Sequence, residues 1–190
     1  MPANDDSKAL MQGSLPESWG VDDRASADEN MEWLLSEGHR TSFAEEMKSL
    51  EDIGVTADTS TEDLIALLKD EYGFDEDEAG SYARAFAVYT EHGADAIAGW
   101  DYCRAMYLLP AYYHAGYYTE QEALDKSLEV AQIMQPMYES WDDLMDSYLW
   151  GYDYWAGEES TERRGIYEKL KGQSDNPFRI DYKMNLEKTW

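Results

Sequence analysis

Apolar positions along this chain recur at helical spacing, and no segment keeps up the alternation of a half-buried strand. Residues 1–17 are small and polar and are interrupted by Pro2, Gly13 and Pro16, so they read as a flexible acidic and polar leader, with Trp19 as the first anchor. Asp22 or Asp23 can cap a helix with Met31, Leu34 and Leu35 inward and Gly38 as its stop. Ser42 and Glu45 have capping-box spacing for a short helix with Phe43, Met47 and Leu50 on its apolar side. Next, Leu64, Leu67, Leu68 and Tyr72 form a stripe over 61–72, stopped by Gly73. Asp75 caps a helix whose first turn holds Glu76, Asp77 and Glu78, where the helix dipole favours negative charge. Its stripe is Ala79, Tyr82, Ala83, Phe86 and Tyr89.

The stretch 95–114 is apolar nearly all round, which predicts a helix surrounded by its neighbours and bent near Pro110. Thr119 and Glu122 form a second capping box for a helix that weakens near Pro136. After Ser140, the residues Trp141, Leu144, Met145, Tyr148, Tyr152 and Trp155 form the clearest amphipathic stripe, and a last helix covers 161–171. The tail is broken by Pro177 and reads as an irregular arm docked through Phe178, Ile180, Tyr182 and Leu186. The expected fold is therefore all-α: a single compact domain over 18–190, of about seven helices, with an irregular C-terminal arm.

Charge changes this picture most. The 190 residues carry 41 Asp+Glu against 15 Lys+Arg, a formal net charge of -26. With 43% hydrophobic and 14% aromatic residues, the chain has enough to bury and does not read as disordered. Nucleic-acid binding needs clustered Lys and Arg to replace counterions, and only Arg163-Arg164 are adjacent. Anionic membrane surfaces are disfavoured for the same reason. The apolar stretch 97–113 contains Asp101 and Arg104 and falls short of a membrane span. The first residues lack a basic region followed by an apolar run, and Cys103 is the only cysteine, so a reducing cytoplasm is expected.

Few residues suggest chemistry. Asp101 and Arg104 lie three apart on the most apolar helix and can meet on one face. They read as a buried ion pair, or else as a polar pocket in which Arg104 takes a carboxylate or phosphate and Asp101 orients it. His39, His92 and His114 have no metal-ligand spacing. His114 could serve as an acid or base if it folded back near Asp101 or Glu122. There is no nucleophile elbow, P-loop or dinucleotide turn, so no catalytic residue, metal or cofactor is expected. Trp150 and Tyr154 point away from the stripe of their helix, and Tyr112, Tyr113, Tyr117 and Tyr118 crowd one turn. Exposed aromatics beside carboxylates suit a protein-binding surface.

Several motifs in order resemble the bacterial DUF1266 family, which has no assigned activity. They are Ser18-Trp19-Gly20, Gly38-His39-Arg40 with Phe43, WDYCRA at 100–105, AGYYTEQEA at 115–123, Ser140-Trp141, YLWGYDYW at 148–155, and NPF at 176–178. The resemblance covers 18–190 and implies a compact, mostly helical domain with Asp101, Arg104, Glu122, Trp141, Gly151 and Trp155 at motif positions. It carries over no catalytic residue.

The expected function is a non-enzymatic acidic interaction module that binds a basic protein partner such as a toxin, in the manner of an immunity-type inhibitor. Asp101, Arg104, His114, Glu122, Trp150 and Tyr154 are its candidate binding residues. The rival is a small-molecule-binding protein or enzyme with a polar pocket around Asp101 and Arg104. A subunit of a homo-oligomer is a third reading.

Overall fold

The computed structural model describes residues 3–190. Pro2, one of the interruptions in the leader, lies outside the described residues. Among these there is no strand. Nine α-helices are present instead of about seven: α1 (Asp5–Trp19), α2 (Arg24–Ser36), α3 (Gly38–Asp52), α4 (Thr61–Tyr72), α5 (Glu76–His92), α6 (Ala98–Ala115), α7 (Glu120–Met134), α8 (Trp141–Ala156) and α9 (Thr161–Lys171). Two 3-10 turns, Gln135–Met137 and Pro177–Arg179, begin where Pro136 and Pro177 interrupt the chain.

The supposed leader is the largest departure. It is helical from Asp5, because Asn4 and Ser7 make a reciprocal capping box and Gly20 closes the other end in a left-handed conformation. Its apolar residues form no stripe, and only Leu15 among them is buried. The third helix also starts earlier than Ser42, directly at Gly38. Pro110 sits inside α6 on an exposed face, and the helix continues through it to Ala115.

Tertiary contacts divide the chain into two compact units. The first comprises, among the described residues, 3–37, 102–140 and 182–190, hence α1, α2, most of α6, and α7. Its interior holds Met31 and Leu34 from α2, Leu108, Leu109 and Tyr112 from α6, and Val130 from α7. Buried phenols here are satisfied by neighbouring side chains: Tyr112 donates to Asn30 at 2.9 Å and Tyr118 to Asp28 at 2.7 Å. Two of the four crowded tyrosines, Tyr112 and Tyr118, are thus buried, while Tyr113 and Tyr117 are half-buried. In the arm, Tyr182 is buried and Leu186 is half-buried. Gln135 binds the Tyr182 carbonyl oxygen at 2.7 Å, and Lys183 binds that of Tyr138 at 2.6 Å.

The second unit comprises residues 38–101 and 141–181. Helices α4 and α5 pack as a hairpin, α5 rests on α3 and α8, and the core gathers Phe43, Met47, Leu50, Leu64, Leu68 and Phe86. Tyr72, expected on the α4 stripe, is exposed, whereas Leu64 and Leu68 are buried and Ile65 and Leu67 pack partly buried against the core. On α8 the expected sides are partly exchanged. Trp155 is 54% exposed, whereas Trp150 and Tyr154 pack against the core cluster. Trp150 lies flat on His92, with ring centroids 4.3 Å apart. Phe178 meets Tyr167 and Trp141 edge-on, whereas Ile180, expected to dock, is exposed. Among the described residues, no helix is long and apolar enough to cross a membrane.

Candidate functional site

Asp101 is buried and ion-paired, as its place on an apolar helix requires, but its cation is Arg40 and not Arg104. The carboxylate is fully enclosed. Its Oδ1 accepts from the His39 backbone N–H at 2.9 Å and lies 3.1 Å from His39 Nδ1, while Oδ2 accepts from the Arg40 N–H at 3.1 Å and from Nη1 at 3.2 Å. Asp101 thereby caps the start of α3, where backbone donors lack partners within their own helix and the dipole favours an anion. A capping carboxylate from another helix leaves no local signal in the sequence, which is why Ser42 and Glu45 looked like the cap.

Gly38 makes this approach possible. Its φ of +62° is strained for any side chain, and a Cβ there would lie 2.2 Å from Asp101 Oδ2. The Nδ1 contact with a carboxylate, which can only accept, places an imidazole proton on Nδ1. The His39 ring also stands edge-on to Trp100, with centroids 6.5 Å apart.

His39 borders a groove of about 700 Å³ within the second unit. Four carboxylates line it: Glu46 from α3, and Asp75, Asp77 and Glu78 at the start of α5. Its aromatic lining consists of Tyr82, Tyr154 and Trp155. Among the described residues, no lysine or arginine lines it. Asp75 is held as the α5 cap by the Glu78 N–H at 2.9 Å. Glu46 accepts from the Tyr82 hydroxyl at 3.0 Å. Burial first, and then the charge of Glu46, push the Tyr82 phenol up to about 12, and the same two causes raise Tyr154. Both tyrosines therefore remain neutral hydrogen-bond donors throughout the physiological range.

Of the six candidate binding residues, only Tyr154 lines this groove. Trp150 borders a small crevice beside it with Tyr154 and Phe43. Arg104 belongs to the first unit, where its guanidinium lies over the Trp19 ring at 4.3 Å. His114 is ten residues further along α6, about 15 Å of rise away. Its Nδ1 meets Ser7 Oγ at 3.2 Å. Glu122 closes the capping box with Thr119 and binds Arg24 at 2.7 Å. The first unit thus does not gather Arg104, His114 and Glu122 into one pocket. Glu46 and Tyr82 leave no joint signal in the sequence, because their nearness depends on the packing of α3 against α5. Among the described residues, no three His, Cys, Asp or Glu side chains converge as metal ligands. Burial pushes the Cys103 thiol up to about 12, which keeps it protonated and unreactive.

Glu122 yields a pH prediction. The Arg24 guanidinium, together with the Thr119 amide and hydroxyl, holds its carboxyl down to about 2 from the usual 4.5. A depressed folded value stabilises the fold fully above about 4.5, and this contribution is lost as pH falls from there towards about 2. Glu122→Gln should flatten the acid limb of stability in that window, measured by urea unfolding at successive pH values. An unchanged acid limb would show that the pair contributes nothing.

The family model described as "Protein of unknown function (DUF1266)" matches residues 14–182, most of the chain. The chain belongs to the DUF1266 family. No curated protein and no solved structure matches it. The DUF1266 match begins inside α1 and ends at the buried Tyr182 of the arm, so it takes in all of the second unit and most of the first. The Asp101 cluster joins two of the motif segments that carried the resemblance, Gly38-His39-Arg40 and Trp100-Asp101.

Proposed function

We propose that this DUF1266 protein is a non-enzymatic, acidic protein-interaction module of the bacterial cytoplasm that binds a basic partner, in the manner of an immunity protein covering a toxin's cationic surface. The observation that carries this reading is the groove of the second unit, walled by carboxylates and aromatic rings, with no lysine or arginine among its described lining residues. Set in a chain of net charge -26, it is a place where positive charge is attracted and aromatic contact area is offered. The rival pocket around Asp101 and Arg104 receives less support, because both Asp101 oxygens are occupied by contacts to His39 and Arg40 and the side chain is sealed from solvent.

The test is association with the basic product of a neighbouring gene, followed by surface plasmon resonance at low and high salt. Association should slow steeply as salt rises. The variant Asp75→Asn/Asp77→Asn/Glu78→Gln should slow it about tenfold while changing dissociation less. Binding indifferent to salt and to these substitutions would refute an electrostatically guided interaction.

A further inference from the structure

We propose that the groove of the second unit seats an arginine-bearing segment of the basic partner, with Glu46 as the carboxylate that receives the guanidinium. This deepens the reading above and rests on it.

Glu46 differs from the other acids of the groove. Asp75, Asp77 and Glu78 sit at the start of α5, where the dipole and the capping bond account for negative charge. Glu46 lies in the middle of α3, where neither reason applies. It is half-buried, and the Tyr82 hydroxyl fixes its Oε2. Tyr154 stands beside it, its ring held edge-on by buried Phe43 at 5.3 Å. The result is a carboxylate of set orientation between two aromatic side chains that are themselves held in place.

That combination discriminates among cations. A guanidinium can bind a carboxylate through its planar fork and stack on a ring face in the same pose. An ammonium meets the charge but has no planar face to stack. Arginine is accordingly the more frequent partner in cation–π contacts. The groove's volume, about 700 Å³, is that of a site for a ligand of many atoms, so residues flanking the arginine enter with it. Asp75, Asp77 and Glu78 then face positive charge on the flanks, and Trp155, more than half exposed, supplies contact area at the edge.

Fluorescence anisotropy with a labelled, glycine- and serine-spaced arginine peptide tests this, using the lysine and citrulline peptides and spermidine as competitors. The arginine peptide should bind the full chain at least about fivefold more tightly than the lysine peptide, and the citrulline peptide should not compete. Glu46→Gln should weaken binding about tenfold, and Tyr82→Phe should weaken it by a smaller factor. The exposed Glu129→Gln, which is not among the lining residues of the groove, should leave it unchanged. If Glu46→Gln fails to fold by circular dichroism, Glu46→Asp, which keeps the charge but shortens the reach, should give a weakening of the same sign. Equal losses from Glu46→Gln and Glu129→Gln would reduce the effect to net charge and overturn the assignment. So would equal affinity for arginine and lysine, or tighter binding of spermidine, which would mark a small-amine site. Unaltered binding of the basic protein partner by a folded Glu46→Gln chain would overturn the seat while leaving the interaction module standing.

Discussion

Asp101→Ala should destabilise the protein by about 3–5 kcal/mol, the range measured when one member of a buried ion pair is removed. The substitution takes away the anion facing the enclosed Arg40 guanidinium and the acceptor for two backbone N–H groups at the start of α3. In a chain of this size the melting temperature should drop by roughly 10 °C. Asp101→Asn keeps an oxygen acceptor but loses the charge and turns an amide N–H₂ towards donors, so it should recover only part of the loss. The double variant Asp101→Leu/Arg40→Met should be more stable than either single one, because it removes both charges together. Urea unfolding of the parent, Asp101→Leu, Arg40→Met and the double variant measures the coupling. A single-variant loss below about 1 kcal/mol would mean that solvent reaches the cluster and screens it.

The same cluster shows what could be read from the sequence and what could not. An aspartate on an apolar helix had to be paired, and that requirement is legible without coordinates. Helical periodicity reveals only neighbours on the same helix and so points to Arg104, three residues away, as the partner. Arg40 and His39 precede Asp101 by about 60 residues and reach it through the packing of α3 against the first turn of α6. Helices α4 and α5 are legible because a side-chain cap precedes each and a glycine follows it, and α9 because Gly172 ends it. Helix α1 was missed for the opposite reason. It has a cap, but its apolar residues follow no stripe, and Gly13 and Pro16 argue against a helix. The exchange of sides on α8 has another cause: tryptophan and tyrosine occur all round that helix, so hydrophobicity alone cannot choose which ring faces the core. The groove is set by α3, α5 and α8 together, and of its key residues only Tyr154 carried a signal, as an aromatic left over from a stripe.

Two glycine-to-alanine substitutions on helices of the second unit should shift stability in opposite directions. In the interior of an exposed helix, alanine is preferred over glycine by about 1 kcal/mol. Gly165 on α9 has nothing within 4 Å of where its Cβ would stand, so Gly165→Ala should raise stability by up to that amount. Gly151 on α8 is buried against α6, and a Cβ there would lie 2.2 Å from Trp100 Cβ and 2.7 Å from Cγ. Carbon atoms pack at about 3.5–4.0 Å, so the two must separate by more than 1 Å. A rotamer change cannot relieve the closer contact, because a Cβ is fixed by its own backbone. The helices must move apart, and Trp100 is also packed on Tyr148 with centroids 5.1 Å apart. Overpacking of this kind costs about 1–3 kcal/mol, and more where backbone must shift. Since that exceeds the gain in helix propensity, Gly151→Ala should lose about 2–3 kcal/mol net. Thermal unfolding of both variants beside the parent decides the matter. A rise in melting temperature for both would mean that α8 and the first turn of α6 are not in the close contact described, and that propensity alone governs position 151.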